Sequence, residues 1–140
     1  MQNILIFLFI FVMNPSPKET VKSVELSYIT RGTNKNLMIS SDSIVLNINE
    51  DKHCYKITVA QWKKIKNALK KVNLSSISGL KRPSTKSFSD GAMAAQLSVQ
   101  TSLKKYQSSN FDDSNPHLKL VGLINTMKSV LAEVDAETKF

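Results

Sequence analysis

Few residues in this chain could carry covalent chemistry. It has one thiol, Cys54, and two imidazoles, His53 and His117. A thiol nucleophile needs a base within hydrogen-bond reach. His53 adjoins Cys54, but neighbours on an extended strand point to opposite faces, so they cannot act as a pair there. Cys54 is expected as a buried strand residue, and a single thiol cannot form an internal disulfide. Ser78-Gly-Leu-Lys81 matches the spacing that places a hydroxyl beside an amine on a helix. Here it carries Gly79 and runs into Arg82-Pro83, which read as loop, and the accompanying S-D-N and K-T-G elements are absent.

Asp90, Asp112, Asp113 and His117 are the remaining groups that could share protons or hold a cation. Asp112-x-Ser114 has the opening spacing of a calcium loop, but the loop's glycine and terminal glutamate are missing. The run Asp112–Pro116 is expected to stop a strand and cap a helix, with Pro116 in its first turn. Neither zinc spacing nor a phosphate-cradling glycine loop occurs. No catalytic residue, cofactor or metal ligand is therefore assigned. The alternative is a small hydrolase-like enzyme using Asp90, Asp112 and His117.

Charge is the stronger signal. The chain carries a formal net charge of +8, and between Lys52 and Lys105 twelve basic residues face a single acid, Asp90. A basic centre of this kind attracts acidic partners, lipid headgroups or nucleic acid. Lys63, Lys66 and Lys70 form a basic face on a predicted helix, with Lys64 and Lys71 further round. This makes the chain an electrostatic binder of anionic lipid or polymer in a further reading. Nucleic acid is not expected, because exposed aromatics do not interleave with these lysines. Trp62 lies on the apolar side, as a core residue.

The elements that position these groups are legible from periodicity. Alternation over 21–31, Leu37–Ile39, 43–49 and 54–57 predicts four strands, separated by turns at Gly32-Thr-Asn34, Ser41-Asp42 and Asn49–Lys52. Thr58-Val-Ala-Gln61 is a capping box. Trp62, Ile65, Leu69 and Val72 then share one helical face, predicting a helix to about Val72. Leu74–Leu80 reads as an apolar turn, and Lys81–Asp90 as a polar loop hinged at Gly91. Ala92–Gln100 and Leu103–Phe111 supply two more strands. Leu120, Ile124, Met127, Leu131 and Val134 mark a closing helix. Its last turn is expected to fray, because Glu133, Asp135 and Glu137 oppose the helix dipole. The order ββββ-α-ββ-α predicts an α+β fold: one antiparallel sheet of about six strands with both helices on one face.

The first 17 residues read separately from the domain at 18–140. Ile4–Met13 is an uninterrupted apolar run of ten residues, followed by Asn14-Pro15-Ser16-Pro17. A membrane-spanning helix needs about 20 apolar residues, so the run fits the apolar region of a signal peptide, or a short retained anchor. No Lys or Arg precedes it, no A-x-A site follows, and no cysteine is placed to accept a lipid. Export to the periplasm or the exterior is expected, with membrane contact only through this segment.

Three stretches carry a resemblance: Glu25-Leu-Ser-Tyr-Ile-Thr-Arg-Gly-Thr33, Lys81-Arg-Pro-Ser-Thr-Lys86 leading to Asp90-Gly-Ala92, and Tyr106-Gln-Ser-Ser-Asn-Phe-Asp112 leading to Asn115-Pro116. Over roughly residues 20–132 the chain resembles uncharacterised small exported proteins and lipoproteins of flavobacterium-like bacteria. The resemblance implies an exported single domain and names no activity. It directs attention to Arg31, Arg82, Lys86, Asp90, Gly91, Phe111 and Asp112 as candidate ligand-binding residues at strand ends and loops. The same residues could instead serve turns and loop-anchoring ion pairs. The reading that follows is a non-enzymatic exported binding domain, its partner an acidic envelope component or protein.

Overall fold

The computed structural model describes residues 16–140. The apolar run Ile4–Met13, and with it the expected export segment, lies outside the described residues. Four strands come first: β1 (Val21–Thr30), β2 (Thr33–Ser40), β3 (Ser43–Ile48) and β4 (Asp51–Lys56). They form an antiparallel meander. The β1–β2 turn places Gly32 at φ +78°, a conformation that glycine adopts without strain. At the β3–β4 turn Asn49 adopts φ 56°, where Asn is among the tolerated residues. Its N–H donates to the Asn34 carbonyl at 2.7 Å, and its side-chain oxygen accepts from the Asn34 N–H at 2.9 Å.

Helix α1 (Val59–Leu69) follows, then two 3₁₀ segments, Leu74–Gly79 and Lys86–Ser89. Strand β5 (Ala94–Thr101) returns antiparallel to β1, so β1 lies between β2 and β5 inside the sheet. The strands β6 (Lys105–Gln107) and β7 (Phe111–Asp112) both pair with the far edge of β5, and α2 (Leu118–Val134) closes the chain. The sheet order is β4-β3-β2-β1-β5-β6. This is the α+β fold with one antiparallel sheet that the strand and helix periodicities predict.

Period-two alternation sends Val24, Leu26 and Tyr28 of β1 to one face, with Leu37, Ile39, Ile44, Leu46, Leu97 and Val99 beside them. Trp62, Ile65 and Leu69 of α1 and Leu120, Ile124, Met127 and Leu131 of α2 cover that face. The opposite face carries Ser23, Glu25, Ser27, Asn36 and Ser98. There the Glu25 carboxylate accepts from Asn36 at 2.5 Å, lies 3.4 Å from Ser98 Oγ, and pairs with Lys105 at 3.4 Å. Among the described residues no helix is long and apolar enough to cross a membrane.

Several local expectations are corrected. Strand β4 begins at Asp51, inside the predicted turn. Cys54 is exposed, because it faces away from the helices opposite Val45 on an edge strand. Helix α1 stops at Leu69, and a tight turn, Val72 N–H to Leu69 carbonyl at 2.9 Å, still buries Val72. The predicted strand Leu103–Phe111 is split in two. At the break the Ser108 hydroxyl oxygen accepts from the Leu97 N–H at 3.0 Å, standing in for a backbone carbonyl. The N-cap of α2 is His117, so Pro116 lies before the helix and not in its first turn. The end of α2 is pinned rather than frayed. Glu133 accepts from Lys64 at 2.6 Å and from Gln61 at 3.0 Å, and Asp135 accepts from Tyr55 at 2.6 Å.

Candidate functional site

The loop candidates assemble around one buried carboxylate. Asp112 has no exposed side chain and accepts four hydrogen bonds. They come from Ser84 Oγ at 2.5 Å, the Lys86 N–H at 2.8 Å, the Ser87 N–H at 3.0 Å and Arg82 Nη2 at 3.2 Å. The Ser84 hydroxyl above all, with the Ser87 and Lys86 donors, holds this carboxyl well below the ordinary carboxylate range against the opposing effect of burial. Arg82 also donates to the Ser84 carbonyl at 2.9 Å and to Ser87 Oγ at 2.7 Å, and its guanidinium lies 4.0 Å from the centre of the Phe88 ring.

Asp112 therefore folds the Lys81–Asp90 loop around itself. The run Asp112–Pro116 serves this loop rather than capping a helix through Asp112. Gly91 completes the loop. Its N–H donates to the Lys86 carbonyl at 2.9 Å, and a Cβ there would stand 3.3 Å from that same oxygen. The Lys86 side chain stays at the surface, and Phe111 is a core residue, 2% exposed. Arg31 and Asp90 meet only at 3.9 Å, with 91% and 62% of their side chains exposed, a geometry that contributes little.

The groups of the hydrolase alternative are engaged separately. Asp112 is saturated by the loop, Asp90 approaches Arg31, and His117 Nδ1 accepts from the Lys119 N–H at 3.2 Å as a helix cap. A carboxylate with four donors and a depressed affinity for protons is poorly suited to taking one from a substrate. Among the described residues no three His, Cys, Asp or Glu side chains cluster as a metal site would require.

The lysine face is arranged differently. Residues 59–69 contain no acid, and Lys63, Lys64, Lys66, Lys70 and Lys71 are all exposed. Of these five, only Lys64 has a carboxylate within 4.0 Å among the described residues, Glu133 at 2.6 Å. Lys66 and Lys70 border a hollow of about 580 Å³, which Lys18 flanks from the segment entering β1. Its floor is apolar: Trp62, Leu69, Val72 and Leu74, with Val21 at the side. A smaller hollow of about 260 Å³ lies across Trp62, reaching Lys63 and the 88%-exposed Val59. Trp62 is thus a core residue, 9% exposed, whose remaining surface touches both hollows.

The lysines were readable from helical spacing. The apolar floor was not, because Val21 and Leu74 come from segments on either side of α1 in sequence and meet its residues only in the fold. Comparison with family models, curated proteins and solved structures gives no match to this chain.

Proposed function

We propose that this chain is an exported, non-enzymatic binding domain of the cell envelope that holds an acidic partner on the lysine face of α1. The row of ammonium groups that lack carboxylate partners among the described residues carries this reading. Lys63, Lys66 and Lys70 are three and four residues apart, so their like charges oppose one another along the helix. The domain bears that repulsion on an element whose acid-free sequence concentrates the field, and an acidic partner would relieve it. The Asp112 loop supports the same reading from the other side, because its polar groups are consumed in holding the backbone. Export rests on Ile4–Met13 and on the resemblance to exported bacterial proteins.

Heparin serves as a polyanion probe. It is expected to bind the full chain at low ionic strength and to be released as salt approaches about 1 M, where screening is nearly complete. Replacing Lys63, Lys66 and Lys70 together by Gln should weaken binding about tenfold or more at low salt. Binding undiminished by salt, or unchanged in the triple variant, would overturn the assignment of the lysine face. Fractionation and intact mass of the expressed protein address its address: recovery in the cytosolic fraction would defeat the export part.

A further inference from the structure

The hollow beside the lysine face has two chemistries in one space, and this narrows the class of partner. Resting on the reading that α1 binds an acidic partner, we propose that this hollow takes an anionic amphiphile of the lipid class: an acyl chain on the floor of Trp62, Leu69, Val72 and Leu74, and an anionic headgroup against Lys18, Lys66 and Lys70.

The floor and the rim ask for different halves of one molecule. A purely polar anion would leave without apolar cover the part of the indole and the three aliphatic side chains that the core does not already bury. A neutral hydrocarbon would leave the three lysines that line the hollow without an anionic partner. An amphiphile with an anionic head satisfies both, because apolar burial drives the chain half while charge complementarity orients the head half. The volume, about 580 Å³, lies within the range of small-molecule sites, roughly 300–1,000 Å³.

One acid, Glu19, lines the same hollow, and its carboxylate is already engaged. It accepts from Thr101 Oγ1 at 2.6 Å and from the Tyr106 hydroxyl at 2.9 Å, with the Lys104 ammonium adding attraction. Its negative charge is thereby tied to the β5–β6 end of the sheet, so Lys18, Lys66 and Lys70 dominate the opening. The wall formed by Lys18–Val21 is also the stretch of chain that follows the apolar run Ile4–Met13 in sequence. A lipid-binding hollow at this end of the domain agrees with an apolar leader that addresses the chain to a membrane.

Trp62 is the single tryptophan of the chain, so its emission reports on the two hollows that its surface touches, and Lys18, which lines only the larger one, tells them apart. The test adds dodecyl phosphate, kept below its micellar concentration, to the full-length protein. A saturable blue shift of Trp62 emission is expected. Inorganic phosphate should leave the emission unchanged, and dodecyl maltoside, with the same chain and a neutral head, should bind about tenfold or more weakly. Lys66→Gln with Lys70→Gln should weaken dodecyl phosphate by a similar factor. These lysines are exposed, so circular dichroism should be unaltered; Lys18→Gln, outside every helix and strand, provides a second variant should the double one unfold.

Three results would overturn the proposal: a shift reproduced by inorganic phosphate, equal affinity for the neutral amphiphile, or unchanged affinity in folded lysine variants. Heparin binding by the lysine face with no response of Trp62 to dodecyl phosphate would remove the amphiphile site and leave the electrostatic reading standing. Loss of heparin binding with the dodecyl phosphate response intact would do the reverse.

Discussion

At the residue scale, Asp112 has the greatest structural reach. Its pKa is depressed in the fold, so protons bind the unfolded chain more readily than the native one. The stabilisation is therefore fully present above the ordinary carboxyl value of about 4 and is lost as pH falls through it toward the native value. Asp135 behaves alike. Its hydrogen bonds from Thr138, then Tyr55, hold it at about 2. The expected outcome is a urea midpoint that declines below about pH 4. Asp112→Asn should lower the midpoint at neutral pH and flatten that decline, because one of the four depressed carboxylates, Glu19, Asp112, Glu133 and Asp135, is gone. An unchanged acid limb in the variant would refute this assignment.

Tyr28 offers the opposite case. Burial, with the Asp113 charge adding to it, pushes its phenol up to about 12, and its hydroxyl has no hydrogen-bond partner among the described residues. Its ring is held by Phe140, stacked at 4.9 Å, and by the Lys128 ammonium at 5.1 Å. Tyr28→Phe keeps the ring and removes the orphan hydroxyl, so stability should rise by about 1 kcal/mol in urea unfolding. A comparable loss would reveal a partner for the hydroxyl.

At the scale of elements, α1 is fixed at both its start and its flank. Thr58 Oγ1 accepts from the Gln61 N–H at 3.1 Å, and the Gln61 side-chain oxygen accepts from the Thr58 N–H at 2.9 Å. Thr58→Ala should cost about 1 kcal/mol, measured by urea unfolding, and no change would mean that packing alone holds the helix start. The capping box was legible because both partners lie within one turn. The Asp112 loop was not, since its donors lie 25 to 30 residues upstream and only the fold brings them back. The same difference explains the end of α2. Dipole reasoning from Glu133 and Asp135 predicts fraying, but Lys64, Gln61 and Tyr55 reach them from other elements.

At the scale of the whole molecule, β1 and β5 carry the core. Leu97 is fully buried opposite Leu26. Leu97→Ala should destabilise by about 2–5 kcal/mol, through lost transfer energy and the space left behind. A smaller loss would indicate that the helices settle into the gap. Charge acts over the same scale: salt should weaken polyanion binding by the lysine face, while apolar burial in the adjoining hollow is far less sensitive to it. Comparing the salt dependence of heparin and dodecyl phosphate binding therefore separates the two contributions.

By itself the sequence determined the α+β class, the order of the elements, the buried faces and the lysine row. Each depends on a period of two or 3.6 residues, or on a cap within one turn, and such spacings are written locally. Only the tertiary structure decided that Asp112 anchors a loop, that Cys54 is exposed on an edge strand, and that α1 borders a lysine-rimmed apolar hollow. These follow from which strand lies at an edge and which distant segments meet. Both are outcomes of burying one sheet face under two helices, and no local spacing encodes them.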